Sequence, residues 1–409
     1  MLKVTGAFLL LGAAAMAADR GADKPVFTKD VAPVLFKHCA GCHRPGEMGP
    51  MPLLTYEQAR PWAKAIREKV ALGAMPPWHA EAAPGTFVND RSLTPAERDV
   101  IVKWADGGAP KGDPKFLPPA PVFPEGWEIG KPDAVFTMAK EYAVPESGTI
   151  PYQFFTVKTD LTEDKWIQAI EVRPGARAVV HHVLVFASEP GREVKSPGYH
   201  QVEPKLPPAA VRGPGSLIAT TAPGTNAMVF PAGTAIKVRA GATLIFQMHY
   251  TTNGKAAVDR TSVGMIFAKE PPAVEMRTSA FVNPLFVLPA GKAGTQVNAV
   301  IEFDEDAEIH ALFPHTHLRG KSWEYRLVYP DGRKEVVLSV PKYDFNWQTY
   351  YIYAKPLAAP KGSRLEASAV YDNSAANPWN PDPTKDIRWG PQTWEEMQYT
   401  GINYTLKNK

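Results

Sequence analysis

Two hydrophobic periods divide the chain. Towards the N-terminus apolar residues recur at helical spacing. After Thr94, the positions Val100, Ile101, Trp104 and Ala105 form one face of a predicted helix, and Gly107-Gly108 ends it. Thr94-Pro95-Ala96-Glu97 opens that helix with a capping box and a proline at its first position. Thr55-Tyr56-Glu57-Gln58 opens another in the same way. From about residue 132 the pattern changes to strands. Runs 153–157, 179–186, 242–250, 297–303, 323–329 and 364–371 are short and rich in β-branched or aromatic residues, with turns such as Pro330-Asp331-Gly332 between them. The sequence therefore predicts a multidomain chain: a small all-α domain over 25–113, a proline-rich linker over 114–131, and two tandem all-β sandwiches over 132–270 and 271–409.

Composition adds a compartment and removes some partners. Lys3, the apolar run Phe8-Leu9-Leu10-Leu11 and the small-residue site Ala15-Met16-Ala17 read as a secretory signal over 1–17, which predicts a periplasmic or secreted protein. No later apolar run approaches the ~20 residues of a membrane helix, so no membrane span is expected. Lys and Arg total 45 against 42 Asp and Glu, a balance that gives no reason to expect a nucleic-acid partner. The 41 prolines, about twice ordinary usage, favour turns and edge strands over long helices. Both cysteines sit in one motif, so none is left for a disulfide, and stability is expected from core burial and bound metals.

That motif is Cys39-Ala40-Gly41-Cys42-His43. Two thiols at this spacing followed by histidine form the attachment pattern of a single covalent haem c, with His43 as the proximal ligand, which makes the helical region a candidate cytochrome c domain. Met75, in the proline-stiffened run Gly73-Ala74-Met75-Pro76-Pro77-Trp78, is the candidate sixth ligand, with Met48, Met51 and His79 as alternatives. A second group of residues lies in the strand region. In His315-Thr316-His317 the two imidazoles point to one face of a strand and can share a metal. His181-His182 are adjacent, so strand geometry aims them apart unless the strand bends there. His249 and Met397 are each unremarkable alone.

The order of His181-His182, His249, His315-Thr316-His317 and Met397 resembles the copper type II, ascorbate-dependent monooxygenases, the family of peptidylglycine α-hydroxylating monooxygenase and dopamine β-monooxygenase. The resemblance covers roughly residue 132 to the C-terminus. It implies two jelly-roll sandwiches, each holding one of two copper ions, that face each other across a solvent-filled gap. It also implies an electron-relay copper on His181, His182 and His249, and a catalytic copper on His315, His317 and Met397. The expected activity is hydroxylation of a C–H bond of a small-molecule substrate by O2. The haem domain would supply electrons from a periplasmic donor. Phe313 stands where the peptide hydroxylase has a carboxylate-binding arginine, which points away from a peptidyl-glycine substrate.

Overall fold

The computed structural model describes residues 24–188, 190, 215–222, 227–390 and 392–407; the expected signal segment 1–17 lies outside them. The described chain is mostly β and jelly-roll-like, with few helices. One sandwich is built on a four-stranded antiparallel sheet in the order Gln153–Lys158, Thr243–Tyr250, Val180–Ser188, Ser216–Thr221. A second sheet, centred on Lys165–Arg173 and Ser262–Phe267, covers it. Ile167, Ile170, Val183, Val185, Leu244 and Phe246 pack in the core between them.

The other sandwich stacks Arg277–Val282, Tyr399–Leu406, Ala307–His315 and Tyr351–Ala359 on Ala293–Glu302, Arg364–Asp372, Gly320–Val328 and Lys334–Val340. Its core includes Leu312, Trp323, Tyr325, Leu365 and Ala367. In Arg364–Asp372 the inward side chains alternate strictly with the outward ones, the period of a strand buried on one face. Val180–Ser188 and Thr243–Tyr250 are instead buried at nearly every position. On their outer face His182, Leu184 and Gln247 meet Phe313, Met397 and Tyr399 of the second sandwich, while Leu184, Phe186, Leu217 and Ile245 form a small apolar cluster of their own. Val282, Phe313, Tyr350, Met397 and Tyr399 all join the first sandwich's apolar cluster, which seals the two together.

The helices Ala32–His38, Tyr56–Ala59, Ala63–Ala71 and Pro95–Asp106 gather around Phe27, Leu35, Ile66, Ile101 and Trp104. Both expected capping boxes form, on Thr55 with Gln58 and on Thr94 with Glu97. Apart from the single turn Pro114–Phe116, residues 114–131 carry no helix or strand. Proline there removes the backbone donors that regular structure needs.

The stretch after the third helix departs from an all-α domain. Glu81 bridges Ser339 and Phe87 bridges Tyr353, so this part of the chain extends the second sandwich. Asn89 adds side-chain bonds to the Tyr350 carbonyl at 2.6 Å and from the Ile352 amide at 3.2 Å. The expectation of an N-terminal all-α cytochrome c domain is thereby corrected to a few short helices on a mostly β protein.

Candidate metal centre

His182 stands directly opposite His249 in the antiparallel pair Val180–Ser188 with Thr243–Tyr250. The register slips between Val180 and His182, so His181 is an extra, bulged residue. A bulge bends its strand and re-aims a side chain. It removes the difficulty that adjacent strand residues point apart. The Nδ1 atom of His182 lies 3.2 Å from that of His181 and 3.3 Å from that of His249. Metal–imidazole bonds of about 2.0–2.1 Å at tetrahedral angles separate their nitrogens by roughly 3.3 Å, so the three rings already hold a ligand spacing. Burial pushes the pKa of His181 down to about 4 and those of His182 and His249 well below the ordinary value. Neutral rings are the form that binds metal.

His315 ends the strand Ala307–His315, and His317 follows two residues later with its ring centroid 5.2 Å away. His315 Nδ1–H donates to Gln348 Oε1 at 2.8 Å, and His317 Nδ1–H donates to the Glu395 carbonyl at 3.3 Å. Both acceptors lack a proton, so both rings carry theirs on Nδ1 and present an unprotonated Nε2. His317 Nε2 is buried without a hydrogen-bond partner among the described residues. Met397 is buried and lines a narrow cavity together with His315, Phe313 and Tyr152. His315 and Met397 thus face one cavity, and with His317 beside His315 they would offer two imidazole nitrogens and a thioether, a softer group than the three-histidine set.

Glu396, fully buried, ties this second set together. One carboxylate oxygen accepts from the His317 amide at 2.7 Å and the Met397 amide at 3.3 Å, and the other accepts from the Arg319 amide at 2.6 Å. Burial pushes its pKa up to about 8, against the three backbone N–H groups and Arg319, which favour the charge. On the opposite side of the turn, Tyr343 donates to the Thr316 carbonyl at 2.9 Å.

The two sets adjoin. The rings of His182 and His315 are 6.2 Å apart. Tyr152 contacts His182 at 5.6 Å, His249 at 4.9 Å and His317 at 6.4 Å between centroids. Phe345 stacks on His181 at 5.1 Å, and Gln348 reaches from His315 to His182 Nδ1 at 3.4 Å. The solvent-filled gap implied by the family resemblance is absent here. Tyr152, Phe345 and Gln348 fill it, because the apolar face of the second sandwich packs onto the first. Sequence reasoning missed these three residues. No spacing rule marks them, since each matters only through a contact between sandwiches. Glu396 was visible as the neighbour of Met397, but nothing in the sequence revealed its burial. His310, five residues before His315, donates to or accepts from Thr405 at 3.1 Å and belongs to neither set.

Cys39 and Cys42 follow the helix Ala32–His38, and their thiols are free. Burial pushes Cys39 up to about 12, with Cys42 adding to the shift, and burial raises Cys42 as well. His43 Nδ1–H donates to the Met51 carbonyl at 3.0 Å, which again leaves Nε2 unprotonated. Two unpaired thiols beside an imidazole in this tautomer fit haem attachment. Met75 lies half-buried in the loop after the helix Ala63–Ala71, and three residues on Trp78 packs against Tyr351 at 5.1 Å. Glu47, four residues after His43, pairs with Arg177 at 2.9 Å, four residues before His181. The CxxCH loop is thus pinned to the segment that leads into the three-histidine set.

No family model matches the chain, and no curated protein matches it. Solved structures similar to it include the major capsid protein P2 from bacteriophage PM2, at 10% identity and a TM-score of 0.29, covering 67% of this chain and 98% of that one. The infectious bursal disease virus Gx strain structure follows at 9% identity and a TM-score of 0.18, with 67% and 72% covered. The tandem CBM22 domains of Paenibacillus barcinonensis Xyn10C match at 9% identity and a TM-score of 0.15, with 62% and 83% covered. These findings overturn the resemblance drawn from the histidine order. The neighbours are mostly viral capsid proteins, and nothing places the chain with the copper type II, ascorbate-dependent monooxygenases fused to a cytochrome c. Any functional reading has to rest on the geometry of the donor sets.

Proposed function

We propose that this chain is an exported copper-dependent monooxygenase that hydroxylates a C–H bond of a small molecule with O2, drawing electrons through a covalent haem c. One observation carries the reading: the grouped imidazoles of His181, His182 and His249 lie beside His315, 6.2 Å from the His182 ring, and His182, His315 and Met397 line one narrow cavity. Imidazole suits copper, and the thioether favours its reduced form. His181, His182 and His249 would hold one copper, and His315, His317 and Met397 the other. Cys39, Cys42 and His43 would hold the haem, with Met75 as sixth ligand. The metals supply one-electron transfer and oxygen binding. The chain's own part is to orient and to exclude water. Gln348 and the Glu395 carbonyl fix the tautomers of His315 and His317. Tyr152 and Phe345 keep bulk solvent from the rings, and the Glu47–Arg177 pair holds the CxxCH loop against the three-histidine side.

The narrowness of the cavity favours a second reading, a copper-binding electron-transfer protein without hydroxylase activity. The test is quantification of copper and haem after anaerobic reconstitution, followed by oxygen uptake with a reduced electron donor over a screen of small hydroxylatable compounds. The monooxygenase reading expects two coppers per chain, substrate-dependent uptake, and loss of that uptake in His315→Ala with the haem spectrum intact. Two coppers without substrate-dependent uptake select the electron-transfer reading. Fewer than two sink both.

A further inference from the structure

Gln348 is hydrogen-bonded to both donor sets. Its Oε1 accepts from His315 Nδ1 at 2.8 Å, while its amide nitrogen faces His182 Nδ1 at 3.4 Å and the Phe345 carbonyl at 3.2 Å. These contacts have opposite consequences for metal binding. At His315 the bond places the proton on Nδ1 and presents Nε2, so it prepares a ligand. At His182 the amide N–H donates to the same Nδ1 that converges with His181 and His249, so it occupies a lone pair the metal needs. The three-histidine set has a further obstacle: its Nδ1 atoms, 3.2 and 3.3 Å apart, are in hydrogen-bond contact with one another, and those contacts must be given up when a metal arrives. His317 has none to give up at Nε2, which is buried without a hydrogen-bond partner among the described residues.

We propose that Gln348 sets the order of metal loading, so that the His315/His317/Met397 set fills before the three-histidine set. It acts as a positioning residue through His315 and His182. The inference rests on the reading that both sets bind copper. Gln348→Leu removes both contacts at once. It raises affinity at the three-histidine set about fivefold, the worth of one neutral hydrogen bond. It lowers affinity at the other set by about 10- to 100-fold, the usual cost of losing a group that orients a metal-binding histidine. Structural damage alone would weaken both sets together. Gln348→Glu keeps the acceptor for His315 but loses the donor to His182, so it raises the three-histidine affinity and spares the other set.

The experiment titrates haem-loaded, full-length protein anaerobically with Cu(I) and reads copper–sulfur scattering by X-ray absorption. In the haem-loaded form the cysteines are thioethers already committed to the porphyrin, and Met397→Leu identifies the sulfur. The wild type is expected to show one copper–sulfur contact per copper at one equivalent, falling to half that average at two. Gln348→Leu is expected to show little sulfur at one equivalent, and Gln348→Glu to resemble the wild type with a tighter second equivalent. A wild type whose first copper lacks sulfur, or a Gln348→Leu variant with the wild-type order, overturns the proposal alone. A wild type that never binds two coppers, or never shows the Met397 sulfur, overturns the underlying functional reading as well.

Discussion

Replacing Glu396 by glutamine tests whether the second donor set is held by one buried carboxylate. The carboxylate accepts three backbone hydrogen bonds, at 2.7 Å from His317, 2.6 Å from Arg319 and 3.3 Å from Met397. Glutamine keeps one acceptor oxygen and turns an NH2 towards at least one of those donors. The Arg319 guanidinium, itself buried, also loses its neighbouring charge, although it keeps Asn373 at 2.8 Å and the Trp394 carbonyl at 3.0 Å. Above about pH 8, where the Glu396 carboxyl is ionised, a hydrogen bond to the charged group contributes about 1.5–3 kcal/mol, and a buried donor left unpaired costs about 1–3 kcal/mol. These contributions overlap because they share one site, so Glu396→Gln is expected to destabilise the metal-free protein by about 2–4 kcal/mol. The two ligand backbones it joins, at His317 and Met397, then drift apart, and copper affinity at that set falls about 10- to 100-fold. Urea unfolding above that pH, followed by tryptophan fluorescence, reads the first effect, and competition with a chromophoric Cu(I) chelator reads the second. A loss below about 1 kcal/mol, or a loss of copper from the three-histidine set instead, would refute the clamp.

Three further outcomes are expected. His249→Ala removes one of three converging nitrogens, so copper per chain should drop from two to one with the copper–sulfur signal kept; equal loss from both sets would show that they do not bind separately. Acid should destabilise the metal-free protein. An unfolded histidine protonates near 6.5, whereas burial holds folded His181 and His315 neutral down to about 4. The unfolded chain therefore takes up protons first. Stability is full above pH ~6.5 and is lost progressively as pH falls towards 4, and a melting temperature unchanged between pH 7.5 and pH 5 would contradict this. At Gly49 an added Cβ would sit 2.7 Å from both the Cys42 carbonyl oxygen and His43 Nδ1. Gly49→Ala should displace the His43 ring and lower haem content per chain, and unchanged content and spectrum would show that the loop yields elsewhere.

Local signals in the sequence were legible where local physics decides. The capping boxes at Thr55 and Thr94 formed because a hydroxyl and a side chain three residues on satisfy orphan helix N–H groups without outside help. The strand runs appeared close to their expected limits, as in Arg364–Asp372 against 364–371, because alternation follows from the pleat. The helical region was misjudged as a self-contained cytochrome domain, because nothing in residues 78–89 shows that Trp78 and Phe87 pack on Tyr351. Kinship was misjudged for a different reason. An ordered series of histidines records which donors are present, but it does not record ancestry.

By itself, the sequence determined the inventory: a CxxCH motif, an HxH pair, an adjacent histidine pair, and the β-rich region that carries the last two. Chain connectivity and side-chain chemistry are enough for that. Tertiary structure decided whether these residues meet. Only the bulge at His181 turns the adjacent pair towards one point, since strand alternation alone would send its members to opposite faces. Burial of the second sandwich's apolar face on the first brings His182 and His315 to 6.2 Å and seats Gln348 between them. Gln348 and Glu396 acquire their roles from that long-range burial, which leaves no trace in local spacing.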